Sequence, residues 1–246
     1  MNKEGKKRFP IYYMIEKELE KMIEKLEPND RLPTEKQLTK DYSVSRKTIR
    51  TALLNLVRKG LIYRKPGKGT FVSPPKKVYH ANILKGFTQE MEELGHDYNS
   101  DVLQQELIIP DRAVIDFFKI PKNQPVFFLS RVRYMDEIPV AYQEAYINSS
   151  IDTRLKKLLT IDFSGKTSLY YGLADTGIIP DHGEEEVNVV RTSKFISKLL
   201  KQPASACTLS RVLKTCDVED RPLEYIRSYY RGDRYTFKFT LNRETK

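Results

Sequence analysis

The stretch Ser45-Arg-Lys-Thr-Ile-Arg-Thr-Ala-Leu-Leu-Asn-Leu-Val57, which runs on through Gly60 to Gly67-Lys-Gly-Thr-Phe-Val72, decides the fold of the first third of the chain. Ile49, Ala52, Leu53, Leu56 and Val57 recur at the spacing of one helical face, Ser45 is a good N-cap, and Gly60 stops the run. Upstream, Pro33 precedes Thr34 and Gln37, which have the spacing of a capping box and predict a short helix over residues 35–42. Before that, Pro10 opens a stripe of Ile11, Ile15, Leu19, Met22, Ile23 and Leu26, a helix over 11–26 broken by Pro28 and Asn29. Ser43 and Val44 make the tight turn of a helix-turn-helix. Downstream, residues 61–64 and 70–72 flank Lys65-Pro-Gly-Lys-Gly69, so two short strands form a basic hairpin, a wing.

The polar face of the third helix carries the chemistry. Arg46 and Arg50 are four apart and share a side, with Ser45, Lys47 and Thr48 crowded at the same end, where a recognition helix meets base edges. Arg can donate two hydrogen bonds to O6 and N7 of guanine, and Thr can meet a thymine methyl or a phosphate. In the wing, Gly67 and Gly69 allow close backbone approach, while Lys65 and Lys68 supply charge for phosphates. The charge balance agrees. Residues 1–77 hold 20 Lys and Arg against 9 Asp and Glu, so the whole +10 of the chain resides in this segment.

The motifs Arg31-Leu-Pro-Thr-Glu35, Val44-Ser-Arg-Lys-Thr-Ile-Arg-Thr-Ala-Leu53, Gly60-Leu-Ile-Tyr63 and Gly67-Lys-Gly-Thr-Phe-Val72 resemble the winged helix of the GntR family of bacterial transcription regulators. The likeness covers residues 10–72. It implies that the positions of Arg31, Arg46, Thr48, Arg50 and Gly67 touch operator DNA.

The full chain of 246 residues is 39% hydrophobic, enough to build one or two globular domains and to exclude a disordered chain. Its 2 cysteines, Cys207 and Cys216, cannot form a disulfide scaffold and are expected to pack in a sheet. The Lys- and Glu-rich start has no signal-peptide core, and no apolar run approaches the roughly 18 residues of a membrane span. A cytoplasmic bacterial protein without membrane contact is the expectation. His80, His96 and His182 have no ligand-like spacing with the cysteines, so no metal or other cofactor is expected.

Ser73-Pro-Pro-Lys-Lys77 lacks periodicity and reads as a semi-rigid linker, giving domains over 1–72 and 80–246 with a hinge at 73–79. The second domain repeats itself: Leu129-Ser-Arg-Val132 returns as Leu209-Ser-Arg-Val212. A helical segment precedes each copy (113–119 and 193–201), and a hairpin with a proline follows each (136–139 and 217–222). Duplicated helix-strand-hairpin units predict an α+β domain, a mostly antiparallel sheet with helices packed on it and a pocket where the halves meet. Along the first repeated strand, Arg131 and Arg133 point to one side. Two guanidinium groups on one face either hold a small anion or pair with carboxylates of neighbouring strands. On the last long strand Glu224, Ile226, Ser228 and Tyr230 share a face, and Glu224 with Tyr230 could meet a ligand's hydroxyls.

Phe87-Thr-Gln-Glu-Met91, Arg131-Val-Arg133, Thr167-Ser-Leu-Tyr170 and the run from Glu224 through Tyr230-Arg-Gly-Asp-Arg-Tyr-Thr-Phe237 resemble the UTRA effector domain of the HutC subgroup, whose fold is related to chorismate lyase. The resemblance implies that Phe87, Thr88, Arg131, Arg133, Ser168, Tyr170, Glu224 and Tyr230 line a cavity, the arginines and the Ser and Tyr hydroxyls taking a phosphate. A further pocket position, often Glu in sugar-sensing members, is Gln143 here; its neutral amide suits a hydroxyl better than an ammonium. The expectation is a repressor that binds a palindromic double-stranded operator as a homodimer and responds to a small anionic metabolite. An amino-sugar phosphate such as N-acetylglucosamine 6-phosphate or glucosamine 6-phosphate comes first, another sugar phosphate or a carboxylic acid second. An enzyme related to the lyase is the remote alternative, because no nucleophile, base and orienting partner occur together and no catalytic residue is expected.

Overall fold

The structure is a computed structural model that describes residues 10–65, 67–74, 77–80, 84–203 and 205–238. It divides into two compact units, residues 1–77 and 78–246.

The first unit is a three-helix core with a two-stranded wing. Helix α1 (Ile11–Ile23) buries Ile15, Leu19 and Ile23 against Ile49, Ala52, Leu53 and Leu56 of α3 (Arg46–Arg58). The short α2 (Glu35–Asp41) carries the full capping box: Gln37 N–H donates to the Thr34 hydroxyl, and the Gln37 side chain accepts from Thr34 N–H at 2.8 Å. At the head of α3 the Ser45 hydroxyl accepts from Thr48 N–H at 3.2 Å. Strands β1 (Ile62–Lys65) and β2 (Gly69–Val72) pair antiparallel, Lys65 facing Gly69. Residues 29–32 run along β2 as well, since Leu32 N–H donates to Thr70 O and Arg31 bridges to Phe71. Inside this unit Glu16, almost fully buried, is held by Lys59 and by Asn55 Nδ2 at 2.9 Å, which ties α1 to α3.

The second unit is built on a six-stranded antiparallel sheet in the order β4-β5-β6-β9-β8-β7, with β4 (Tyr98–Ile108), β5 (Val126–Met135), β6 (Ile138–Ile147), β7 (His182–Arg191), β8 (Cys207–Cys216) and β9 (Pro222–Arg231). Strand β3 (Lys77–His80) pairs with β10 (Tyr235–Lys238) in a separate small sheet. The stretch expected as linker, 73–79, therefore ends inside a strand; Pro75 and Lys76 lie outside the described residues.

The strand order explains the repeat. One half runs β4, α5 (Arg112–Phe118), β5, β6; the other runs β7, α7 (Lys194–Leu199), β8, β9; and the halves join through β6 and β9. The register pairs Glu144 with Arg227, Tyr142 with Tyr229 and Tyr146 with Tyr225. Rotation about an axis through the Glu144–Arg227 pair exchanges the two tyrosine pairs and matches Pro139 to Pro222 at the start of the repeated strands. Asp111 caps α5, its carboxylate accepting from Ala113 and Val114 N–H, and residue 193, expected to begin the second helical segment, caps α7 instead, its hydroxyl accepting from Ile196 N–H.

Both faces of the sheet are covered. On the inner face Phe127, Leu129, Ala145 and Ile226 pack with Leu155 and Leu158 of a 3-10 segment (Thr153–Thr160), with Phe163, and with Leu169 and Leu173 of α6 (Leu169–Ala174). On the outer face α5 covers Phe128, Tyr146 and Tyr225, and α7 covers Val132 and Tyr142. Helix α4 (Phe87–Glu93) packs Phe87 and Met91 on Tyr98 and Met135. The cysteines sit at the two ends of β8, Cys207 exposed and Cys216 partly covered, so the expected sheet packing fails for Cys207.

Candidate nucleic-acid interface and anion cavity

In the first unit the cationic residues singled out by sequence are exposed. Arg46, Lys47 and Arg50 project from α3, and Thr48 is half-covered because its hydroxyl bonds to the Ser45 hydroxyl at 2.8 Å. Ser45 thus spends its side chain on the cap. Arg31 lies against the wing: a Cβ built on Gly69, whose φ is +123°, would come within 3.0 Å of Arg31 Nε. Arg31, Lys65, Gly67, Lys68 and Gly69 line one concave surface with Thr34 and Glu35. Arg64 on β1 pairs with Glu35 at 2.8 Å, and Lys65 Nζ sits 5.5 Å from the Tyr63 ring centre and 5.6 Å from that of Phe71. A wing braced in this way presents backbone and lysine charge together, as phosphate contact requires.

In the second unit the inner face of the sheet closes over a cavity with about 350 Å³ of unfilled space, part of it open to solvent. Lys85, Gly86, Phe87 and Thr88 supply one wall, Ser168, Leu169 and Tyr170 at the start of α6 another, and the sheet supplies Arg131, Arg133, Gln143, Arg211, Leu213, Glu224 and Ile226. Eight of the nine residues expected around a ligand are therefore together. Tyr230 is not among the lining residues: it is buried in an aromatic cluster, its ring centre 4.3 Å from that of Tyr235 and 5.8 Å from that of Phe237.

The cavity is electrostatically uneven. Arg131 donates to Thr167 O at 3.1 Å and to Gln143 Oε1 at 3.4 Å, and Gln143 Nε2 donates onward to Ser228 Oγ at 3.4 Å. Arg133 is 2% exposed, lies 4.3 Å from the Phe87 ring centre and donates from Nη2 to Thr88 Oγ1 at 3.3 Å. Its Nε and Nη1 have no hydrogen-bond partner among the described residues. Burial brings Arg133 down to about 10, and burial together with the neighbouring Arg133 charge pushes Arg131 down as well. At the other end Glu224, fully buried, accepts on Oε2 from Tyr170 Oη at 3.0 Å and from Thr215 Oγ1 at 3.3 Å, while Oε1 has no partner among the described residues. Burial raises it to about 7, against the hydrogen bond from Tyr170 and the charge of Arg211.

Lys85, Gly86, Leu169, Arg211 and Leu213 line the cavity without having been expected there, and Arg211 is the one with a signal in the sequence. It is bound to Glu185 on the edge strand, Nε to Oε1 at 2.6 Å and Nη2 to Oε2 at 3.1 Å. The repeat gave the signal, because Leu209-Ser-Arg-Val212 puts Arg211 where the first copy has Arg131. The cavity draws one arginine pair from the first half and Arg211 with Glu224 from the second, so it spans the junction of the halves.

Comparison with known proteins follows the same division. Residues 11–72 match the family described as bacterial regulatory proteins, gntR family, and residues 93–236 match the UTRA domain. The HTH-type transcriptional repressor NagR of Bacillus subtilis (strain 168) is 29% identical over 246 residues, 99% of each chain. The mannosyl-D-glycerate transport/metabolism system repressor MngR of Escherichia coli (strain K12) is 28% identical over 240 residues, 96% of this chain and 97% of that one. Among solved structures, PhnF from Mycobacterium smegmatis has a TM-score of 0.64 at 23% identity, covering 94% of this chain and 100% of that one, a likeness of fold.

Proposed function

The chain belongs to the GntR family, in the HutC group of transcription repressors that carry a UTRA effector domain, and on that premise we propose that a small phosphorylated metabolite in the inner-face cavity controls its hold on a palindromic operator. It is a regulator and not an enzyme. One observation carries the ligand reading: Arg133 is a buried cation with two nitrogens, Nε and Nη1, unpartnered among the described residues, beside Arg131 and within one cavity with Thr88, Ser168 and Tyr170. A phosphate dianion supplies the missing charge and acceptors together, and hydroxyl donors complete its shell.

The far end of the cavity selects the rest of the ligand. Gln143 is already engaged with Arg131 and Ser228, and as an amide it gives an ammonium no countercharge. Glu224, near half-protonated at neutral pH, can donate to or accept from a hydroxyl. A sugar phosphate with a neutral or acetylated amine, N-acetylglucosamine 6-phosphate before glucosamine 6-phosphate, is the best fit. In a thermal melt of the whole protein against sugar phosphates, amino-sugar phosphates and carboxylic acids, a phosphosugar at about 100 times its dissociation constant should add roughly 2.7 kcal/mol. A response confined to unphosphorylated acids would remove phosphate from the reading.

For DNA, we assign base readout to Arg46, Thr48 and Arg50, with Arg31, Ser45, Lys47, Lys65, Gly67, Lys68 and Gly69 on the backbone. Two copies related by a two-fold axis read two half-sites and gain the specificity that one helix lacks. Arg46→Ala or Arg50→Ala should cost about 1–3 kcal/mol on the operator and flatten the preference over scrambled duplex, measured by fluorescence anisotropy. Lys68→Ala should weaken both duplexes alike and lower the salt slope. Unchanged operator affinity in both arginine variants would displace the recognition helix from this assignment.

A further inference from the structure

The outer face of the duplicated sheet carries a tyrosine pair at two symmetry-related places, edge-to-face at 81° in one and near-parallel at 17° in the other, with different contents. At its centre Glu144 and Arg227 stand opposite each other across β6 and β9, flanked on one side by Tyr146 with Tyr225 and on the other by Tyr142 with Tyr229. In the first half a cation from the chain itself fills the arrangement. The Arg227 guanidinium lies 5.5 Å from the Tyr146 ring centre and 5.1 Å from that of Tyr225, and Asp111 at the head of α5 holds it at 2.5 and 2.9 Å.

The second half keeps the rings without an internal cation among the described residues. Tyr142 and Tyr229 stack with centres 6.2 Å apart and planes 17° from parallel, and Phe195 of α7 meets Tyr142 edge-on at 5.4 Å and 85°. Together with Glu144 and Ile196 they border a groove with about 510 Å³ of unfilled space, part of it open to solvent. The Glu144 carboxylate accepts from Tyr142 Oη at 3.0 Å. Because Arg227 is committed to Asp111, no cationic side chain among the described residues lies within ion-pair distance of Glu144; Arg191, on the rim, is exposed and also beyond it.

We propose that this groove binds an organic cation, an alkylammonium or guanidinium group, between the Glu144 carboxylate and the rings of Tyr142, Tyr229 and Phe195. Ring faces carry negative potential and favour a weakly hydrated cation over sodium or potassium, and a carboxylate at the same place adds direct charge pairing. The molecule contains its own precedent, since the symmetry-related Tyr146 and Tyr225, edge-to-face at 81°, both have their ring centres within 5.5 Å of a guanidinium that a carboxylate holds. Phe195, 55% exposed, is the ring that an occupant covers. The groove lies on the face opposite the anion cavity, so the inference does not rest on the effector proposed above.

The cation can come from a free amine or from a Lys or Arg of a second copy, and the test separates these. Saturation-transfer NMR on the full-length protein uses tetramethylammonium and arginine amide at matched ionic strength, and sedimentation equilibrium follows self-association. Both are repeated on Glu144→Gln and Phe195→Ala, whose folding is checked by circular dichroism. Transfer to the ligand protons in the wild type, with affinity lower by about tenfold in Glu144→Gln, supports the site with a free amine as its occupant. No transfer, but self-association weakened by both substitutions and by millimolar arginine amide, supports it with a side chain of a second copy. Binding and association that are the same in all three proteins overturn it.

Discussion

Arg133→Met should melt higher than the wild type in the absence of ligand and should no longer respond to a phosphorylated one. The native guanidinium is 2% exposed and, among the described residues, held by a hydrogen bond to Thr88, and burial has brought it down to about 10. At neutral pH it stays charged, so its displacement from the ordinary arginine range is a standing cost of folding, about 3 kcal/mol at the upper end. Methionine keeps the apolar contact with the Phe87 ring and removes the buried charge together with Nε and Nη1, the two nitrogens unpartnered among the described residues. A gain of about 1–3 kcal/mol, roughly 3–10 °C in a unit of this size, is expected in a scan without ligand. The same scan with a saturating phosphosugar should raise the wild type and leave the variant where it was. A variant that melts lower and still responds would show that the anion sits elsewhere. On the proposed reading such a residue trades stability for function, the fold carrying a buried charge that a bound anion would neutralise.

Much of this was legible in the sequence, for reasons that differ by element. In the winged unit the signals are local. The capping box at Thr34 and Gln37, the Ser45 cap and the Gly67 turn act within a few residues, and the structure places each where the pattern does. Helix α1 is the local exception: it stops at Ile23 and not at 26, because Lys25 and Leu26 N–H turn back three residues to Met22 and Ile23, a tighter turn that continues the apolar stripe without the helix. In the sheet the legible part is the repeat, which fixes two hairpins but not how they meet; only pairing of β6 with β9 reveals the axis and puts Arg211 opposite the arginine pair. Strand parity put Arg131 and Arg133 on one side and Glu224 with Tyr230 on another strand's face. Parity says nothing about depth along the strand, and so Tyr230, at the far end of β9, falls among Tyr235 and Phe237 and not on the cavity. The long edge strand β4 is mostly polar over residues 99–106 and carries no short-range motif, and its place was invisible before the sheet was assembled.

Glu224→Gln tests the opposite end of the cavity, through pH. Glu224 is fully buried and is raised from an ordinary 4.5 to about 7, chiefly by loss of hydration. The folded protein therefore holds a proton there that the unfolded chain has released between pH 4.5 and 7, and stability falls as pH rises through that window. The contribution is fully present below about pH 4.5 and is gone above about pH 7, a loss of about 3 kcal/mol if the shift is taken at face value. Asp152, lowered to about 2 by Arg154, titrates below this range. Glutamine has no proton to lose, so the difference in unfolding free energy between wild type and Glu224→Gln should move in the variant's favour by about 3 kcal/mol from pH 4.5 to pH 8, read from urea titrations at both ends. Parallel pH profiles would mean that the carboxyl is already ionised in the fold, with water reaching Oε1. The sign also bears on the ligand. A sugar hydroxyl that donates to Glu224 stabilises its ionised form, so binding should release a proton near neutral pH and tighten as pH rises from 6 to 8, whereas Glu224→Gln should bind with no such slope.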